Sequence, residues 1–230
     1  PTPPSPHAIA LAVLLVTPVA FPAAAGAQDA YQPDFVTLDG TNPMTVVPDD
    51  RLALADGGMI ELWLRPTWTE TPDYDPIAVA YLGPEGPSYA LAVLREKDGL
   101  AFVAGDNEEI IAADLGDGAA HHVAVNVYTD GTEVYVDGEL AGSFDLRPAD
   151  LEGGAFIIGS ANDGANAFVG NIGAVRLWDV PILSGYIGEF RFKPVLSEAF
   201  GDHPDARSLN AYSAFDEEDF YLVDSTEPVE

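Results

Sequence analysis

Few side chains in this 230-residue chain have the type and spacing to do chemistry. Of four histidines, His7 and His203 lie towards the ends, leaving the adjacent pair His121 and His122. Neighbouring residues of a strand project to opposite faces, so this pair cannot grip one metal ion together. One ring is expected to be packed and hydrogen-bonded, the other exposed. Glu133 and Asp137 are spaced to share a strand face, as a carboxylate acid/base pair would need. Asp137-Gly138, however, reads as a hairpin turn, and the structural role is the preferred one. Oxygen-rich strings stand at Asp73-Tyr74-Asp75 and Asn162-Asp163-Gly164-Ala165-Asn166. Hard divalent cations favour such donors, and turns favour the same residues. Trp68, Tyr74 and Phe168 lie in or beside expected loops and offer aromatic faces to a sugar, although each taken singly reads as packing; Trp63 and Trp178 fall in strands and read as core. No Ser-His-acid arrangement, phosphate loop or HExxH string occurs, and the chain is not expected to be an enzyme. With no cysteine, disulfides and thiolate metal sites are excluded.

The elements that must position these residues are short strands. Val123, Val125 and Val127 alternate with Ala124, Asn126 and Tyr128, a period-2 pattern that buries one face. Asp130-Gly131 is expected to turn the chain through a glycine at positive φ, and Val134 and Val136 carry the return strand. Ile60, Leu62 and Leu64 alternate with Glu61, Trp63 and Arg65. Further strands are expected over 34–40 (continued at 45–47), 77–82, 89–95, 100–104, 109–113, 155–159 and 170–178. Seven Asp-Gly pairs punctuate these runs, which argues for an antiparallel sandwich or barrel.

Three segments carry a family resemblance. They are Ala119-Ala-His-His-Val-Ala followed by Asp130-Gly131 and Tyr135-Val-Asp-Gly138; Met59-Ile-Glu-Leu-Trp-Leu-Arg-Pro66; and Ile157-Ile-Gly-Ser160 through Phe168 to Asp179. In order and spacing they resemble the laminin-G-like, concanavalin A-like lectin/glucanase jelly rolls, over about 35–179. Ala120 departs from the pattern, which usually has an aromatic before the His pair. The resemblance implies an antiparallel β-sandwich of jelly-roll type, and Ca²⁺ at its rim, for which Asn162, Asp163 and Asn166 are the candidates. It identifies a fold better than a function.

The formal charge of −29, from 38 acids against 9 Lys plus Arg, excludes nucleic acid as a partner and favours cations. Residues 1–27 hold no charged side chain and include the apolar run 8–16 and a small-x-small site at Ala25-Gly26-Ala27, as in an export leader. The expectation is an exported, periplasmic or extracellular protein whose segment 1–27 is a signal peptide or a retained membrane anchor. The sandwich is placed at 28–181, with an acidic, aromatic-containing extension at 182–230. Phe215, Phe220 and Tyr221 in that extension suit docking onto a partner, and packing on the chain's own domain is the competing reading. The main functional expectation is an accessory structural subunit of a larger respiratory, photosynthetic or transport membrane complex. The alternative is a secreted lectin-like carbohydrate-binding module, with or without Ca²⁺.

Overall fold

The computed structural model describes residues 35–41, 44–45, 48–84, 86–151, 153–161, 164–195, 201–213 and 221–222. Segment 1–27, with its anchor reading, lies outside the described residues. Two antiparallel sheets form the fold. The eight-stranded sheet runs β10 (Glu139–Phe144), β9 (Thr132–Val136), β8 (His121–Val127), β3 (Gly58–Pro66), β12 (Val169–Trp178), β13 (Leu209–Ser213) and β14 (Tyr221–Leu222). β1 (Phe35–Asp39) pairs with the first half of β12. The six-stranded sheet runs β2 (Met44–Thr45), β11 (Ala155–Ile158), β4 (Ile77–Gly83), β5 (Gly86–Val93), β6 (Gly99–Ala104) and β7 (Asn107–Ala112). The expected run 45–47 does not continue β1, because Met44 and Thr45 pair with β11 in the other sheet.

Alternation decides what lies between the sheets. Ile60, Leu62, Leu64, Val123, Val125 and Val127 from one meet Tyr81, Leu91, Val93, Leu100, Phe102 and Phe156 from the other in one core. At one side the sheets close where Phe102 meets Phe144, ring centroids 5.6 Å apart. There β7 and β10 are outer strands carrying Glu108, Glu109 and Glu139 beside exposed Ile110 and Leu140.

The two hairpin glycines act differently. Asp137 (φ 53) and Gly138 (φ 86) make a two-residue turn with both central residues at positive φ, as type I′ requires. Gly131 does not take positive φ. It is needed because a Cβ there would stand 2.6 Å from the Phe144 carbonyl oxygen.

Beyond 181 the chain returns to the sandwich. Helix α1 (Ser184–Phe190) lays Ile187 and Phe190, with Ile182 before it, on Met59, Ala124, Tyr135 and Trp178 of the outer face of the eight-stranded sheet. Asn126 fixes the approach, its amide donating to Ile182 O and its Oδ1 accepting from Ile182 N. His203 stacks on Trp178 with centroids 4.8 Å apart, and β13 extends the sheet from β12. Among the described residues, much of the expected extension is therefore part of the sandwich.

Candidate functional site

Polar side chains gather in two places, one closed and one open. The closed one lies under α1. Glu61 on β3 holds Arg176 of β12 (Nε–Oε1 2.9 Å) and His122 of β8 (Nε2–Oε2 2.8 Å), all three buried. Arg176 also points its Nη atoms at the carbonyls of Phe190, Arg191 and Lys193, each 3.4 Å away, at and just past the end of α1, where Phe190 O also accepts from Lys193 N and Arg191 O from Trp63 Nε1. Burial works against charge on Glu61, but the Arg176 charge and then the His122 hydrogen bond outweigh it and hold the carboxyl below its usual range. Burial dominates at His122 and lowers its pKa, which favours the neutral ring with Nε2–H donating to Glu61, and among the described residues Nδ1 has no partner. Its three side chains are almost fully buried, and the cluster works as a structural clasp between sheet and helix.

His121 points the other way. Nδ1 is 2.8 Å from Asp137 Oδ2 and Nε2 is 3.0 Å from Asp117 Oδ1, while Asp137 Oδ1 accepts from the His122 backbone. Burial opposes a charged ring here too, but the bonds to Asp137 and Asp117 prevail and raise the pKa. The expectation of one exposed histidine fails, since both are buried, because a carboxylate pair caps one and Glu61 the other. Glu133 and Asp137 are likewise occupied, Glu133 by the hydroxyls of Tyr135 (2.7 Å) and Tyr128 (3.1 Å).

The open place is a groove of about 450 Å³ on the outer face of the six-stranded sheet. Its floor is Ala90, Ala92, Ala101 and Val103, small residues at alternate positions of β5 and β6, paired Ala90 with Val103 and Ala92 with Ala101. Tyr74, Asp75, Arg95, Glu108 and Asn166 supply the polar wall. Asn166 is held at φ 51 with its carbonyl accepting from Ile77 N at 2.8 Å, which ties its loop to β4. The Tyr74 hydroxyl donates to Ala167 O at 3.2 Å. Arg95 Nε lies 3.0 Å from Asp75 Oδ1, and its Nη1 donates to Asp73 O. The volume and the few convergent polar groups suit a small-molecule or oligosaccharide site.

The structure thus brings Tyr74, Asp75 and Asn166 together from two loops. Trp68 and Phe168 do not face the groove. They meet edge-to-face in the core, 5.7 Å apart, where apolar burial of both rings outweighs exposure. Trp68 acts on the groove only indirectly, donating its Nε1–H to Arg95 O at 3.0 Å. Asn162, Asp163, Phe215 and Phe220 lie outside the described residues, and Tyr221 falls in β14. Arg95, Glu108 and the alanine floor are additions to the expected site; their signal was the repeated small residue in Ala90-Leu-Ala92 and Ala101-Phe-Val103.

Residues 39–187 match the family model described as the concanavalin A-like lectin/glucanases superfamily. The chain belongs to that superfamily. No curated protein matches it. Among solved structures, the heptameric SAP-like pentraxin of Limulus polyphemus is similar at 14% identity and TM-score 0.54, over 83% of this chain and 91% of that one. The Ruminococcus gnavus IT-sialidase CBM40 bound to α2,3-sialyllactose is similar at 11% identity and TM-score 0.54, over 70% and 98%. Domain 4 of an extracellular arabinanase from Geobacillus stearothermophilus, in complex with arabinotriose, is similar at 15% identity and TM-score 0.50, over 66% and 74%. At these identities the likeness is one of fold. In this concanavalin A-like sandwich one outer face is covered by α1 and the other carries the groove. Among the described residues no group of three or more His, Asp or Glu is placed to hold a metal ion, and no helix is long and apolar enough to cross a membrane.

Proposed function

We propose that this protein is an exported, non-catalytic carbohydrate-binding module whose ligand lies along the groove of the six-stranded sheet. The observation that carries the reading is the apolar, alanine-rich floor walled by Tyr74, Asn166 and the Asp75–Arg95 pair, which suits the apolar face of a sugar ring with polar groups at its margin. Membership of a lectin-like superfamily supports it, as do two similar structures that hold oligosaccharides. The main expectation, a subunit of a membrane complex, gains no such support. The same reading takes the segment Asn162–Asn166, whose last residue lines the groove, as a Ca²⁺ position. A thermal midpoint unmoved by millimolar Ca²⁺ and by chelator removes that ion.

A glycan array followed by calorimetry tests the reading. Saturable binding that weakens roughly tenfold or more in Tyr74→Ala is the expected result, since an aromatic at a binding site is worth about 1–3 kcal/mol. An array without a bound glycan overturns it.

A further inference from the structure

The two signs of charge in the groove are not equally available. Arg95 is the basic residue among its described lining residues, and it is already committed to Asp75 and to the Asp73 carbonyl. Asp75 is committed in return, its Oδ1 also accepting from the Arg95 backbone at 2.9 Å. Glu108 is exposed and, among the described residues, has neither an ion-pair nor a side-chain hydrogen-bond partner. It pairs with Val103 in the β6–β7 register, so its side chain shares the face of the floor. Neighbouring strands are about 4.8 Å apart, which puts Glu108 one strand spacing from Val103 and two from Ala90. A sugar seated on that floor lies within its reach. Beyond the groove, the formal charge of −29 repels anions over the distance a Debye length allows.

We propose that the groove selects oligosaccharides bearing primary ammonium groups, that is, amino sugars, over neutral and carboxylated ones, with Glu108 as the specificity-determining residue. The inference rests on the carbohydrate reading above.

Calorimetry on β-1,4-linked oligomers of glucosamine, of N-acetylglucosamine and of a uronic acid, matched in length and in mildly acidic buffer, tests it. The glucosamine oligomer is expected to bind roughly two- to fivefold tighter than its acetylated counterpart, the range of an exposed ion pair at low salt. That ratio should fall towards one in Glu108→Gln and at high salt, and Glu108→Lys should invert it towards the uronate. Equal affinities in the wild type, tight uronate binding, or a ratio indifferent to Glu108→Gln overturns the inference and leaves the carbohydrate reading standing. Binding of polylysine as tight as that of the glucosamine oligomer and indifferent to Tyr74→Ala also overturns it, by assigning the preference to net charge. If none of the sugars on the array or in the calorimeter binds, both readings fall.

Discussion

Arg176 and Glu61 face each other across β12 and β3, 2.9 Å apart and each only 2% exposed, because one extra residue stands in β12. Gly173 pairs with Trp63 and Arg176 with Glu61, three steps on β12 against two on β3, and Ala174 takes φ 44 within that bulge. Ile172 faces the core before the bulge, Val175 and Leu177 after it. Without the extra residue, Arg176 would point between the sheets.

Removing one partner should therefore be worse than removing both. Arg176→Met leaves Glu61 buried without its cation and is expected to cost about 3–5 kcal/mol in urea unfolding. Glu61→Leu combined with Arg176→Met should recover most of that loss. A single mutant within about 1 kcal/mol of wild type would contradict the clasp.

Acid should weaken the fold before it reaches the carboxylates. Burial lowers the pKa of His122 and of His203. Below about 6.5 the unfolded chain then takes up protons that the fold refuses, and stability falls as pH falls. Glu61, held below its ordinary value, adds a further loss as pH drops through its folded pKa. His121 works oppositely: its contribution is complete below about 6.5 and is lost as pH rises through its raised pKa. Melting midpoint against pH should accordingly pass through a maximum, and His122→Gln should flatten the acid limb. An unchanged acid limb in that variant would remove His122 from the account.

Gly131 and Gly138 separate space from conformation. Gly131→Ala should cost about 1–3 kcal/mol through the clash with the Phe144 carbonyl, and Gly131→Asn should be no better. At Gly138, Asn should be tolerated better than Ala, since Asn accepts positive φ, while the contacts a Cβ would make, with the movable end of Arg191 and with Gly188 Cα at 3.0 Å, burden both substitutions alike. Equal behaviour of Asn and Ala at Gly138 would count against the turn assignment.

Trp68 and Tyr74 should part company. Trp68→Ala empties a core site and is expected to lower stability by about 3–5 kcal/mol. Tyr74→Ala lies at the groove wall and should lose affinity with little change in melting. If Trp68→Ala melts like wild type, its core position is wrong.

Most of the sandwich was legible because period-2 alternation and Asp-Gly turns are local signals. The strands at Met59–Pro66 and around Asp130-Gly131 follow directly from them; Trp63 and Trp178 are buried, but on the outer face of the eight-stranded sheet beneath the chain that follows β12, not between the sheets as expected. What depends on distant pairing was not legible. Nothing near His121 announces Asp117 and Asp137 as its two partners, and nothing in Gly131 announces the Phe144 carbonyl. Trp68 sits between polar, proline-flanked residues, so its string reads as a loop, yet its ring is drawn inward by Phe168 a hundred residues later. The bulge did leave a trace, in Ile172, Val175 and Leu177 spaced three and then two.

The outer strand β7 bears on how the protein behaves in concentrated solution. Among the described residues β7 and β10 end their sheets; an unpaired strand edge is a template for pairing with another molecule, and exposed Ile110 of β7 and Leu140 of β10 would add to the attraction. Glu108, Glu109 and Glu139 oppose it, as does the excess of negative charge everywhere else. That protection vanishes towards the isoelectric point of about 4.1, where self-association along these edges should set in. Glu108 is then placed to act as a gatekeeper against aggregation on the same strand face that carries the groove.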